Sequence, residues 1–155
     1  MKGARPLTCG EVALAQTVFG DAIDYARVHI VRRKWWFFQP RGVVMAPTGN
    51  IHFHPDSDLY CDDFAAASLS LQGLFIHEMT HVMQSHQQGR LYLPLMRHPF
   101  CRYAFELKAG KQFRNYGLEQ QAEIMRHIFL LRQGATVKNC DQLAALAKQL
   151  PFGNA

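Results

Sequence analysis

Leu71-Gln-Gly-Leu-Phe-Ile-His77-Glu78-Met-Thr-His81-Val-Met-Gln84 is the stretch on which the reading of this chain turns. Its apolar positions Leu71, Leu74, Phe75, Met79, Val82 and Met83 recur with a helical rather than an alternating period. Asp62, Asp63 or Ser68 is placed to cap such a helix, and Gly89 is placed to end it. On that helix His77-Glu78-Met79-Thr80-His81 forms an H-E-x-x-H sequence. Residues four apart lie one turn above each other, so two imidazoles can converge on one Zn²⁺ at about 2.0–2.1 Å. Glu78 then sits about 100° round the helix from His77. It is off the metal but beside a water that the ion polarises, where it can take a proton and pass it to a leaving amine. The plain alternative is a surface helix with two unrelated histidines.

A catalytic zinc site needs a third protein ligand and an open position. The metzincin extension is excluded, because Gln84 and Gln87 stand where it needs glycine and histidine. A second helix over about Leu118 to Arg132, stopped by Gly134, offers Glu119-Gln-Gln-Ala-Glu123. Glu119 and Glu123 face the same way. The first can bind metal, and the second can accept a hydrogen bond from the far nitrogen of a ligand histidine and fix its tautomer. Ala122 is small enough to let the two helices lie close. Three of the five glutamates in the chain fall in these two motifs. Tyr116, one turn before Glu119, is a candidate oxyanion donor or a packing tyrosine, with Tyr103 a weaker candidate. His127 continues the stripe as a surface or supporting histidine. His52 and His54 read as a solvated strand face, and Gln84, Gln87 and Gln88 as the exposed end of the first helix.

Outward from these helices the pattern is α+β. Thr8-x-x-Glu11 is a capping box opening a helix over Gly10 to Phe19, which Gly20 and Asp21 break and which resumes toward Arg27. Val28–Val31, Trp35–Phe38, Val43–Ala46 and Ile51–His54 are short β-prone runs. Val43 to Phe53 could form an edge hairpin that holds a peptide by strand addition. Leu91 to Asn115 reads as an irregular connection with one short strand near Tyr103-Ala104-Phe105. A last helix runs from Asn139 or Asp141 to Leu150. The whole, residues 1–155, reads as a single metallopeptidase-like domain.

The chain is 155 residues long with 48% hydrophobic and 19% charged residues, a globular rather than disordered composition. No run is long enough to span a bilayer. The first residues lead into no apolar segment of a signal peptide, so the expectation is a cytoplasmic start with any export by a nonclassical route. Four scattered cysteines, none in a C-x-x-C pair, argue for free thiols over a cysteine zinc site. The net charge is +5. Its densest cluster, Arg32-Arg33-Lys34, precedes Trp35-Trp36-Phe37-Phe38. This reads as a strand with a solvated start and aromatics in the core, in preference to a nucleic-acid surface.

H-E-x-x-H followed by E-x-x-A-[D/E] on a later helix resembles the gluzincin zinc peptidases. The longer strings His77-Glu-Met-Thr-His-Val-Met-Gln84 and Tyr116-Gly-Leu-Glu-Gln-Gln-Ala-Glu-Ile124 resemble the Vgr-related and Rhs-associated metallopeptidase-like proteins of bacterial contractile secretion systems. The likeness covers roughly residues 41 to 133. It implies a small zincin-like domain, a short mixed or antiparallel sheet packed on the H-E-x-x-H helix and a second Glu-bearing helix. It also implies Zn²⁺ held by His77, His81 and Glu119, with Glu123 as support where gluzincins more often have Asp. The function expected is hydrolysis of a peptide or protein substrate, with Glu78 as general base and Tyr116 as candidate catalytic partner. The alternative is a secretion-associated adaptor whose zinc is structural. Secretion-system components are the other expected partners.

Overall fold

A computed structural model describes residues 3–89, 91–96 and 104–150. Its first helix, α1 (Cys9–Phe19), opens on the expected capping box: the Thr8 hydroxyl accepts from Glu11 N at 3.0 Å and the Glu11 carboxylate accepts from Thr8 N at 2.8 Å. The same buried carboxylate takes both arms of the Arg5 guanidinium at 2.8 Å and the Phe64 amide at 3.0 Å. Glu11 therefore ties three segments together, which the capping pattern alone does not disclose. α1 does not resume beyond Gly20, whose φ of 51° turns the chain. The Gly20 carbonyl is taken by the Tyr25 hydroxyl, and only a 3-10 turn at Tyr25–Arg27 follows.

The sheet is small and mixed. β1 (Ala4–Pro6) runs antiparallel to β2 (His29–Val31), and β2 runs parallel to β3 (Ile51–His52). β1 escapes sequence reading because it is three residues ending in proline, a residue that demotes a strand pattern. Of Val43–Ala46 only Met45 pairs, through an antiparallel bridge to His52. Trp35–Phe38 is no strand and its rings do not enter the core: Trp35 N donates to the buried Gln39 side chain and Gln39 N closes a turn onto Trp36 O. The backbone groups that a strand would pair are thus satisfied locally.

α2 (Leu69–Gln88), capped by Ser68, is the centre of the molecule. Nearly every side chain from Phe75 to Ser85 is buried, as a helix covered on several sides requires. One side meets the sheet through stacked rings of Phe53, Phe64 and Phe75, with centroids 5.5 Å apart at each step. The other meets α4 (Leu118–Arg132), α2's most extensive partner, whose buried residues include Ala122, Ile124, Met125, Ile128 and Phe129. Gly73 makes this approach close: a Cβ there would lie 3.3 Å from Arg126 Nε and 3.4 Å from Leu130 Cδ2. A short α3 (Tyr92–Met96) occupies the stretch expected to be irregular, and α5 (Cys140–Ala147) packs on α4. Ala104 and Phe105 are not in a strand, and Tyr103 lies outside the described residues. The class is α+β, with five α-helices among the described residues. None of their helices is long and apolar enough to cross a membrane.

Candidate metal centre

The helical spacing of α2 and α4 determines what converges. His77 and His81 stand one turn apart, their rings 5.0 Å apart and inclined at 75°. Glu119, in the first turn of α4, reaches between them. Its Oε2 lies 3.4 Å from His77 Nε2 and 3.2 Å from His81 Nε2. One ligand atom from each of the three residues fits within 4.8 Å of the others, and all three residues are buried. Donors at about 2.0–2.1 Å from a tetrahedral ion stand roughly 3.3 Å apart, so the observed separations suit such an ion. The donor set, two imidazoles and a carboxylate, also suits a divalent metal that keeps a further position open.

Both imidazoles are oriented from behind. Glu123 Oε1 lies 2.9 Å from His77 Nδ1. Gln84 Oε1 lies 2.8 Å from His81 Nδ1. Oxygens beside both Nδ1 atoms favour the tautomer protonated there, the one that would turn both Nε2 lone pairs to an ion held between them and Glu119. Gln84 is held in turn by α4, through Nε2 to Leu118 O at 3.2 Å and to Gln121 Oε1 at 3.0 Å. Gln121 Nε2 donates to Tyr116 O at 2.8 Å. Gln84 is therefore buried inside the site, not on an exposed helix end as its polarity suggests. The signal that could have found it is its position three residues after His81, the register at which a helical side chain can turn back on its neighbour.

The electrostatics reflect this crowding of carboxylates. Burial opposes a charge on His77, but the hydrogen bonds it donates to Glu119 and Glu123 and the charges of Glu78 and Glu123 outweigh it and push the pKa up to about 9. Burial likewise opposes ionisation of Glu123, yet the His77 hydrogen bond and the charges of His77, Arg126 and His127 hold its carboxyl below the usual range. Glu78 Oε2 is buried with no hydrogen-bond partner among the described residues. Two buried carboxylates beside two histidines call for positive charge, which a divalent cation supplies.

The remaining candidates fall outside this group. The Tyr116 hydroxyl accepts from Lys108 N at 3.2 Å, and its ring lies 4.2 Å beneath the Lys111 ammonium. These contacts tie it to the 107–111 segment, as a packing tyrosine. His127 Nδ1 donates to Glu123 O at 2.7 Å, and its ring packs on Phe105. His52 and His54 are buried rather than solvated. His52 meets the edge of Trp35 at 5.3 Å and His54 Nδ1 accepts from Asp56 N at 3.0 Å. Burial, the largest influence, lowers the His52 pKa.

No protein-family model matches the chain. It is 38% identical, over 161 residues, to the type VI secretion system spike protein VgrG2b of Pseudomonas aeruginosa; the match takes in 98% of this chain but 16% of that protein. Among solved structures, the effector domain of Pseudomonas aeruginosa VgrG2b matches with a TM-score of 0.71 at 35% identity, over 94% of this chain and 80% of that one. Shared sequence and shared fold thus coincide over nearly the whole chain, and it belongs to the Vgr-related family of the VgrG2b effector domain.

Proposed function

We propose that this domain is a zinc-dependent peptidase in which His77, His81 and Glu119 hold the metal and Glu78 is the general base. The observation that carries the reading is the buried His77–His81–Glu119 group with a carboxylate, Glu78 Oε2, left without a hydrogen-bond partner beside it. A bound Zn²⁺ would supply Lewis acidity to a peptide carbonyl and to water. Glu78 takes the proton of the attacking water at Oε2 and delivers it to the amine that leaves. Glu123 and Gln84 keep the Nδ1 protons of His77 and His81 in place, so neither imidazole turns its lone pair away. The 43–53 segment, bridged between Met45 and His52, is where this reading would seat an extended substrate peptide by strand addition. This reading gives Tyr116 no step, its hydroxyl accepting from Lys108 N in the 107–111 segment.

The relatives, a type VI secretion system spike protein and its effector domain, support delivery of this domain by such a system; a peptide or protein substrate follows from the proposed site alone. The test pairs metal analysis with cleavage of a mixed peptide library. Wild type should bind about one Zn²⁺ per chain, by the three-ligand logic, and cleave. Glu78→Gln should keep the zinc and lose at least roughly 10²-fold in rate. A zinc-loaded wild type that cleaves nothing would refute the peptidase reading and leave an adaptor with structural zinc.

A further inference from the structure

The chain carries a second feature, remote from the metal ligands in sequence, that the peptidase reading does not use. Between β2 and Met45 the backbone leaves the sheet and presents Trp36, Phe37 and Phe38 to solvent at 57, 78 and 69% exposure, with Trp35 partly exposed beside them. Large aromatics are costly to leave in water, and four in succession form a patch rather than scattered exceptions. Leu91 and Leu95, at and within α3, are exposed as well, and Trp35 and Trp36 line one shallow recess with Leu93 and Pro94 of α3.

The loop is built, not slack. Gln39 is buried at its base: Oε1 accepts from Trp35 N at 2.8 Å, and Nε2 donates to Val43 O at 2.8 Å and His52 O at 3.1 Å. One side chain thereby fixes both ends of the loop against β3. The rings at its tip pack on each other, Phe37 against Phe38 at 4.9 Å and Trp36 against Phe38 at 5.4 Å, both edge to face. They make one exposed aromatic cluster.

Charge selects the partner. From residue 25 to residue 55 there is no Asp or Glu, while Arg27, Arg32, Arg33, Lys34 and Arg41 all fall there. That segment alone accounts for the net charge of +5, and the rest of the chain is balanced. Arg41 is paired with Asp56 at 3.3 Å, and Arg32 is turned back onto Pro55 O and the Tyr60 ring. Arg33 and Lys34 are exposed immediately beside the aromatics. Trp and Phe at a tip flanked by cations match the interface of an anionic bilayer, where amphipathic rings settle at headgroup depth and Lys or Arg meets lipid phosphate. A single-stranded nucleic acid asks for something else, a basic groove tracking the backbone with ring faces open for stacking. Here the rings of Trp36, Phe37 and Phe38 pack edge to face on one another instead of lying open in a row.

We propose that the Trp35–Phe38 loop is a membrane-surface anchor that inserts its aromatic tip into an anionic lipid bilayer, with Arg33 and Lys34 on the headgroups. Trp35 and Trp36 are the only tryptophans in the chain, so intrinsic fluorescence reports on this loop alone. The experiment adds the full chain to vesicles of phosphatidylcholine with and without phosphatidylglycerol, and repeats it with brominated lipid. The expected result is a blue shift and bromine quenching with the anionic vesicles, weakening with salt. F37S/F38S should bind at least about tenfold more weakly, as loss of two buried rings implies. R33E/K34E should lose roughly an order of magnitude on anionic vesicles only. Both pairs are solvent-exposed, so circular dichroism and zinc content should match wild type. The proposal is overturned if the fluorescence ignores both vesicle types, or if F37S/F38S binds as wild type does. It is equally overturned if single-stranded DNA, or self-association of the protein, shifts the spectrum where vesicles do not.

Discussion

Gln84→Ala is the sharpest test of how the metal centre is held. The side chain is 4% exposed, and its amide serves two elements at once, His81 on α2 and the first turns of α4. Truncation removes the acceptor that fixes the His81 tautomer. Loss of such a partner typically costs roughly 10–100-fold in metal affinity, or about 1.4–2.8 kcal/mol at 1.4 per tenfold. It also removes the donor to Leu118 O and Gln121 Oε1, for about 1 kcal/mol of stability. In a domain of this size each kcal/mol moves Tm by about 2–4 °C. Zinc affinity is read by competition with a chromogenic chelator, and Tm by melting with and without zinc. Gln84→Glu separates the two roles: it restores an acceptor for His81 and so should recover affinity, but it cannot donate to α4 and should keep the stability loss. Wild-type zinc affinity in a folded Gln84→Ala protein would refute the reasoning, since His81 would then need no support behind it.

Other outcomes follow from the same geometry. His81→Ala should lose most of its zinc and the stability that comes with it; metal analysis after dialysis shows whether it does. Glu119→Ala should weaken zinc binding more than Glu123→Ala, whose loss is of the roughly 10–100-fold kind; the opposite order in a chelator titration would exchange their roles. Glu11→Ala should be among the most damaging changes outside the site, by about 3–5 kcal/mol in urea unfolding, because it leaves the Arg5 guanidinium without its partner. Thr8→Ala should cost about 1 kcal/mol as a lost cap, and a stability within error of wild type would show that the Asp63 contact to Thr8 contributes nothing.

The two helices that carry the ligands were legible because their signals are periodic and local. α4 begins and ends where the apolar spacing places it, and Ser68 and Gly89 bound α2 as their capping chemistry directs. What was not legible depended on groups far apart in sequence. The aromatics of Trp35–Phe38 have high strand propensity, but propensity cannot anticipate that the Gln39 side chain, four residues on, takes the Trp35 amide out of any ladder. His52 and His54 look like polar strand residues, yet the Trp35 edge and the Asp56 turn cover them. Gln84 reads as a solvated residue until α4 is laid against it. The Thr8-x-x-Glu11 spacing marks Glu11 as part of a cap, and only the fold reveals that the same carboxylate anchors Arg5 and Phe64.

The position of the site on the α2–α4 seam has a consequence of its own. Two ligands come from α2 and the third from α4. Their supports cross the same seam, Glu123 from α4 to His77 and Gln84 from α2 to Leu118 O and Gln121. The separation of the helices is set by small residues, Gly73 on one and buried Ala122 on the other. Ligand geometry is therefore a property of helix packing, and a bound ion would cross-link the two helices. The free energy of ion binding is then also free energy of helix docking, because the unfolded chain offers no such cluster. The same coupling explains why so many polar groups are tolerated in the most buried stretch of the chain. Each histidine and carboxylate in this seam is either oriented by a partner across it or, like Glu78 Oε2, held without a hydrogen bond where a cation and a water would meet it.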